Sequence, residues 1–496
     1  MLTRIKISGF KNLQNVDLMF GPFTCIAGGN AVGKSNLFDA IMFLGSLAEQ
    51  PLIDAALSVR DEGGKAGDIR TLFSAHAGGF AESMTLEAEM LIPDRGYDNL
   101  GQLAEANITF VRYLVELRYK PSGLDEVRPG LDLAREELSY INIGDVREHL
   151  PFPHSPQWRK SVAHGRRTSP FVSTERNNGE VTIKLHQEGR AGRTRSFPAA
   201  TLPRTVLSTV NAAESPTALL ARNELKSWRR LQLEPSALRA SDSFTAPTAM
   251  GSDGAHLAAT LYRLARPSRD KRSDGRSLQD VYARISNRLS ELVDDVRSVS
   301  VSRDDARELL TVHVTDKHGA AHAARSLSDG TLRFLALAVL EADPDAKGVL
   351  CLEEPENGIH PERIKAMLKL LQDLAVDLDA PVGDDNPLRQ VIVNTHSPSV
   401  VSQVPDDSLL FAELTTSQSN GGTASQVVFR HLKDTWRSDV GGDDTAIQRG
   451  RILTFLEPVS RTTGQFPESR SQKTGRRRVI DRPDMQFPLP FGPRSQ

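Results

Sequence analysis

The feature that most constrains this chain is the stretch GGNAVGKSN, Gly28 to Asn36, set between an apolar run, Phe23 to Ala27, and an amphipathic one, Leu37 to Leu47. A glycine-rich turn that joins a strand to a helix leaves several backbone N–H groups unpaired and aimed at one point, beside the positive end of the helix dipole. Such a point binds phosphate. The spacing (Gly28, four residues, then Gly33, Lys34 and Ser35) is the Walker A pattern, in which the lysine reaches the β- and γ-phosphates and the hydroxyl holds Mg²⁺. Leu37, Ala40, Ile41, Leu44 and Leu47 recur at helical spacing, so the turn has the flanking elements the pattern requires. Gly28, Gly29, Asn30, Gly33, Lys34, Ser35 and Asn36 are therefore the candidate contacts of a nucleotide phosphate.

A chain of 496 residues has room for two or three domains. Its formal net charge of −2 gives no global basic signal, so contact with DNA would have to come from a local patch. Cys25 and Cys351 each lie inside an apolar strand-like run, which suits small core residues in a reducing compartment. The first residues carry no apolar segment of signal-peptide length, and no window approaches about 20 uninterrupted apolar residues. The expectation is a cytoplasmic protein with no membrane partner.

In chain order, alternation predicts strands at Leu2 to Ile7, Val16 to Phe20 and Phe23 to Ala27, then at Met84 to Met90, Tyr113 to Tyr119 and Leu131 to Ile143. From Glu148 to Arg204 the chain is rich in Pro, Ser and Arg, and one strand, Val181 to Leu185, stands out in what reads as a loop-rich insert. Its basic residues are Arg159, Lys160, Arg166, Arg167, Arg190, Arg193 and Arg195. A solvated surface and a nucleic-acid contact fit them equally. Helical spacing returns at Leu257 to Leu264 and at Leu278 to Val296, the second behind a Ser277 cap, and a hairpin of Val299, Val301, Leu310, Val312 and Val314 follows. The second helix is only about five turns long, far short of a coiled-coil arm. The last segment, from about residue 456, with its basic run Lys473 to Arg478, has the composition of a flexible tail.

A second group of motifs lies near the C-terminal end. RSLSDGT begins at Arg325 and leads into an apolar helix, Leu332 to Leu340. GVLCLEEPENGIHP, Gly348 to Pro361, holds a buried strand that ends in Glu353 and Glu354, where open α/β sheets place their chemistry. Glu353 is placed to join an Mg²⁺ shell and Glu354 to polarise a water. QVIVNTHSP, Gln390 to Pro398, ends another core strand at His396, which can hydrogen-bond a γ-phosphate there.

These four motifs, in this order, resemble the ABC-type ATPase heads of the SMC and RecF kind, and more closely the short AAA-family, SMC-like ATPases. The resemblance covers about residues 1–100 and 250–415. It implies an α/β P-loop NTPase: a mixed β-sheet flanked by helices, an antiparallel β part and a β-rich insert. The corresponding divisions are 1–100 and 251–455 for the two parts of the head, 101–250 for the insert and 456–496 for the tail. It implies Ser328 and Gly330 as a signature motif facing the phosphates of a second subunit, Glu353 as the Walker B acid, Glu354 as the catalytic carboxylate and His396 as the switch histidine. ATP and Mg²⁺ would then hold a homodimer together by its heads.

The glutamine that senses Mg²⁺ in such heads has only Gln50 as a candidate after the first helix, and Glu353 and Asp329 stand where Asp and Gly are commoner. No Toprim-like acidic constellation follows His396, so an effector, nuclease or toxin, is expected on another chain, with DNA as a further possible partner. The expected function is an ATPase regulating a nucleic-acid-acting partner in DNA repair or anti-phage defence. A slow ATP-dependent sensor or scaffold that holds a protein effector is the alternative, and a transporter ATPase subunit is a weaker one.

Overall fold

The computed structural model describes residues 1–59, 68–76, 79–121, 130–188, 193–266, 278–419, 422–441 and 445–456. Ser277, Arg190 and the tail beyond Leu456 lie outside the described residues.

The structure is organised by a central sheet in the order Arg229–Leu231, Gly348–Glu353, Arg389–Thr395, Phe23–Ala27, Leu409–Ser419, Gly422–Leu432, Ala446–Ile447. The first five strands run parallel and the Leu409–Ser419 and Gly422–Leu432 pair is antiparallel, which makes the sheet mixed. Its middle strands are buried on both faces, and their side chains sort by the period of two. Ile26, Val349, Cys351, Ile392, Leu410 and Ala412 face one core, and Cys25, Ala27, Leu350, Leu352, Val391 and Val393 face the other. Both cysteines are free and buried.

The first core is shared with the helix Lys34–Leu47, the helix Pro216–Lys226 and an eight-stranded antiparallel sheet. That sheet runs Thr194–Pro198, Glu180–His186, Val172–Asn177, Gly130–Tyr140, Phe110–Lys120, Ser83–Leu91, Leu2–Ser8, Val16–Met19. Residues 101–250 thus add strands to a sheet begun by the N-terminal residues. The second core is built from the helices Leu257–Leu264, Leu278–Leu292, Asp329–Ala342 and Ile364–Leu374 together with a small antiparallel sheet around Val296–Asp304 and Leu309–Asp316. The described residues contain no helix long and apolar enough to cross a membrane.

Two sequence expectations are corrected here. The stretch from Glu148 to Arg204 holds three strands where one stands out in the sequence, because Val172–Asn177 and Thr194–Pro198 lie on either side of Glu180–His186 with mostly polar, exposed residues. Asn178 and Gly179, both at positive φ, form the hairpin turn between the first two. Their alternation is masked by solvent exposure. The second helix ends at Leu292, and Val296 opens the next strand. A register shift between Val296 and Ser298 gives Val296 and Val299 a spacing of three that imitates one more helical turn.

In the basic stretch, Arg167 packs on Phe171 at 4.1 Å and Arg195 bridges to Glu214 at 3.1 Å. Both are committed to their own fold.

Candidate functional site

The phosphate loop leaves the sheet at Ala27, and its shape is enforced by its neighbours. Gly28 donates its N–H to the Thr395 carbonyl at 3.2 Å, and a Cβ at residue 28 would lie 2.6 Å from the Ala412 carbonyl. Gly33 sits at φ 106° as the first cap of the helix Lys34–Leu47, where a Cβ would meet the Asn12 amide nitrogen at 2.3 Å. Asn12 in turn donates to the Val32 carbonyl at 3.1 Å and accepts from Asn36 at 2.9 Å. The loop's glycines are thus required by contacts as well as by backbone angle. Asn30 is exposed, Gly29 and Ser35 are half-buried, and the Lys34 ammonium rests on the Gly28 and Gly29 carbonyls at 2.6 and 2.7 Å. Burial lowers the Lys34 pKa, opposed by the charges of Glu354, Glu356 and Glu353.

Those three carboxylates share the neighbourhood of Lys34 because the strand Gly348–Glu353 and the strand Arg389–Thr395 run parallel to Phe23–Ala27 and end at the same edge. Glu353 ends its strand, pointing away from the core, 3.5 Å from Arg230. Glu354 turns the chain at φ 44°, its N–H donating to the Asn394 backbone and side-chain oxygens at 3.0 and 3.1 Å. Its carboxylate is held from both sides, by His396 Nδ1 at 2.8 Å and by the Asn357 amide at 2.8 Å. Burial pushes the Glu354 carboxyl upward, but the hydrogen bonds of Asn357 and His396 and the charges of His396 and Lys34 outweigh it and hold the group below its ordinary value. Glu356 behaves oppositely. It is buried, one oxygen bonds Thr395 and the other is unpartnered, and burial with the Glu354 charge raises its pKa.

A second network ties the phosphate-loop helix to the Glu353 strand. Buried Asp39 accepts from Lys11 at 2.6 Å and from Arg230 at 2.5 Å, and Arg230 stands beside Glu353. Ser35 and Glu353 offer hydroxyl and carboxylate oxygens, the hard donors that suit Mg²⁺. The donor chemistry at the strand ends therefore fits that ion.

Ser328 caps the helix Asp329–Ala342 by accepting from the Thr331 N–H at 3.2 Å, and Asp329 in its first turn pairs with Arg239. A Cβ on Gly330 would face the Gly358 carbonyl at 3.6 Å. Among the described residues the contacts of Ser328 and Gly330 are with this helix and Gly358, and none is with the phosphate loop. Lys34, Glu353, Glu354 and His396 are brought together; Ser328 and Gly330 are not brought to them. The helix N-terminus they form is an anion-attracting end.

Gln50 follows the end of the 14-residue helix Lys34–Leu47, about 20 Å along its axis from Ser35, and so cannot reach that site. The residue the sequence reading missed is Gln232. The strand Arg229–Leu231 pairs with Gly348–Glu353 with Leu231 opposite Leu352, so exposed Gln232 comes level with Glu353. Its signal was a three-residue strand far from either motif. Asn357 was legible as a polar residue within GVLCLEEPENGIHP; Asn12 carried no signal.

A phosphate loop on a parallel sheet, with acids and a histidine ending the neighbouring strands, defines the P-loop ATPase class. A profile of the family described as "AAA domain, putative AbiEii toxin, Type IV TA system" matches residues 139–402, more than half of the chain, and the chain belongs to that family. No curated protein matches it. Among solved structures it is similar to an SMC head bound to the C-terminal winged-helix domain of ScpA, with 13% identity over 87% of this chain and 98% of that one and a TM-score of 0.43. It is similar also to the SMC head domain from Thermotoga maritima, with 13% identity over 86% and 98% and a TM-score of 0.35. A third is the SMC head with an extended coiled coil bound to the C-terminal domain of ScpA, derived from Pyrococcus furiosus, with 12% identity over 87% and 96% and a TM-score of 0.40.

Proposed function

We propose that this chain is a Mg²⁺-dependent ATPase, two copies of which close head to head on two ATP molecules and thereby regulate a separate effector acting on nucleic acid, in DNA repair or anti-phage defence. The observation that carries this reading is the grip of His396 and Asn357 on the Glu354 carboxylate, in the field of Lys34. A carboxylate kept charged and oriented at the phosphate edge of a sheet is what water activation needs.

In this reading the N–H groups of the loop Gly28 to Asn36 cradle the phosphates, and Lys34 leaves the Gly28 and Gly29 carbonyls for the β- and γ-phosphates. Ser35 and Glu353 hold Mg²⁺, which supplies charge neutralisation at the phosphate oxygens, and Gln232 stands beside that shell. Glu354 orients the attacking water and accepts its proton, while His396 steadies Glu354 and meets the γ-phosphate. Ser328 and Gly330 present their helix N-terminus to the ATP held by the other copy. Residues 1–100 and 251–455 would form the head and 101–250 a partner-bearing insert, in a cytoplasmic protein. The family description, which names a toxin and a toxin–antitoxin system, favours an effector on another chain.

The test is Glu354→Gln. Steady-state hydrolysis is expected to fall at least about a hundredfold, with ATP affinity within about threefold of wild type. Undiminished turnover would remove Glu354 from the mechanism.

A further inference from the structure

Away from the phosphate loop, a cavity of ≈ 400 Å³ is lined by Phe244, Tyr262, Arg263, Arg266, Arg303 and Leu310, among others, and no carboxylate is among its described lining residues. Two aromatic rings in it each carry a guanidinium, Arg266 at 4.2 Å from the Tyr262 ring centre and Arg303 at 4.5 Å from that of Phe244. Both arginines also donate to the Tyr262 hydroxyl, Arg303 at 3.1 Å. Arg263 is committed elsewhere, to Asp343 at 2.6 Å, Asp345 at 3.0 Å and the Thr248 carbonyl at 2.9 Å. Arg303 also touches exposed Asp305 at 2.7 Å, whereas the partner of Arg266 is Tyr262.

Two cations thus converge on one neutral oxygen between flat rings, in a cavity large enough for a base and its phosphate. Rings and guanidinium planes stack on bases, and arginine forks match phosphate oxygens. A duplex keeps its base faces stacked within itself, so only an unpaired strand can offer one. An acidic peptide would satisfy the arginines but leave the rings without a planar guest.

We infer that this cavity binds a nucleotide unit of single-stranded nucleic acid, with the base against Tyr262 or Phe244 and the phosphate on Arg266 and Arg303. This goes beyond the proposed function, in which nucleic acid is met by a partner, and it does not require ATP. The geometry also links the site to the signature helix, because Arg263 of the cavity wall pairs with Asp343 at that helix's C-terminal end.

The experiment is fluorescence anisotropy of a labelled 30-nucleotide oligothymidylate with the full chain, without ATP, over a salt series. Wild type is expected to bind this strand more tightly than a duplex of the same length. Arg266→Gln with Arg303→Gln is expected to weaken binding about tenfold or more and to lower the salt slope by about 1.4, the share of two lost phosphate contacts. Tyr262→Ala is expected to weaken binding at least about fivefold, while Tyr262→Phe keeps the ring and most of the affinity. Unchanged melting temperatures establish that the variants fold, and the single variant Arg266→Gln gives the same reading if the double one does not.

Equal binding by wild type and the folded variants would overturn the inference, as would absence of strand binding by wild type. Occupancy by thymidine monophosphate alone, with no affinity for the strand, would overturn it too. Because the readout contains no ATP, its failure is separate from any failure of Glu354→Gln.

Discussion

His396 Nδ1 lies 2.8 Å from one carboxylate oxygen of Glu354, and the Asn357 amide lies 2.8 Å from the other. The carboxylate is thereby fixed in direction and kept charged. Replacing His396 with Ala should lower kcat about a hundredfold and leave the KM for ATP within about threefold, measured by steady-state kinetics. The Glu354 carboxyl is held below its ordinary 4.5, so it stays ionised as pH falls to about 5 and protonates only below that ordinary value. An acid limb in the ATPase profile between about pH 6 and 7 should therefore persist in a variant whose only change is Asn357→Asp.

Gly33 combines a φ of 106° with an approach to Asn12 that leaves no room for a Cβ. Gly33→Ala should destabilise the fold by about 1–3 kcal/mol and cost ATP binding more than tenfold, read by thermal unfolding and titration calorimetry. Adding Asn12→Ala removes the clash and not the strained φ, so it should restore stability only in part. Full recovery would assign the effect to the contact alone.

Buried Glu136 accepts hydrogen bonds from the Val206 and Leu207 N–H groups at 2.7 and 2.9 Å and from the Tyr113 hydroxyl at 3.2 Å. Burial nevertheless pushes its pKa from 4.5 to about 7, against the pull of those bonds. A carboxyl whose folded pKa is raised binds its proton more tightly when folded. Stability is therefore lost as pH rises from about 4.5 to 7 and is flat above that. The loss is on the order of 3 kcal/mol. Glu136→Gln should abolish this component, measured as the difference in unfolding free energy between pH 5 and pH 8. An identical pH dependence in the two proteins would refute it.

Gln232 stands level with Glu353 on the neighbouring strand. Gln232→Ala should raise the Mg²⁺ concentration for half-maximal hydrolysis severalfold while nucleotide binding in EDTA is unchanged. Gln50→Ala, about 20 Å away along its helix, should leave both unchanged. The reverse pattern would exclude Gln232 from the metal shell.

The central architecture was legible because its signals are local. Phe23–Ala27, the glycine turn and the helix Lys34–Leu47 are contiguous in sequence, and Gly348–Glu353 and Arg389–Thr395 are short apolar runs ending in polar residues. What was not legible depends on strand pairing across long separations. Gln232 comes level with Glu353 only because Arg229–Leu231 pairs with Gly348–Glu353, and Asn12 meets Gly33 only because the loop after Leu2–Ser8 folds over the phosphate turn. Val172–Asn177 and Thr194–Pro198 escaped because strands with exposed polar residues lack the alternation that reveals a half-buried one.

The most direct measurement of the central claim is the mass in solution of Glu354→Gln, by light scattering, with and without Mg²⁺ and ATP. The expected result is a monomer that becomes a dimer only with both, and that stays monomeric when Ser328→Arg is added to block the signature helix N-terminus. A mass that is unchanged by ATP, or a dimer that survives Ser328→Arg, would contradict closure of two heads on shared nucleotide.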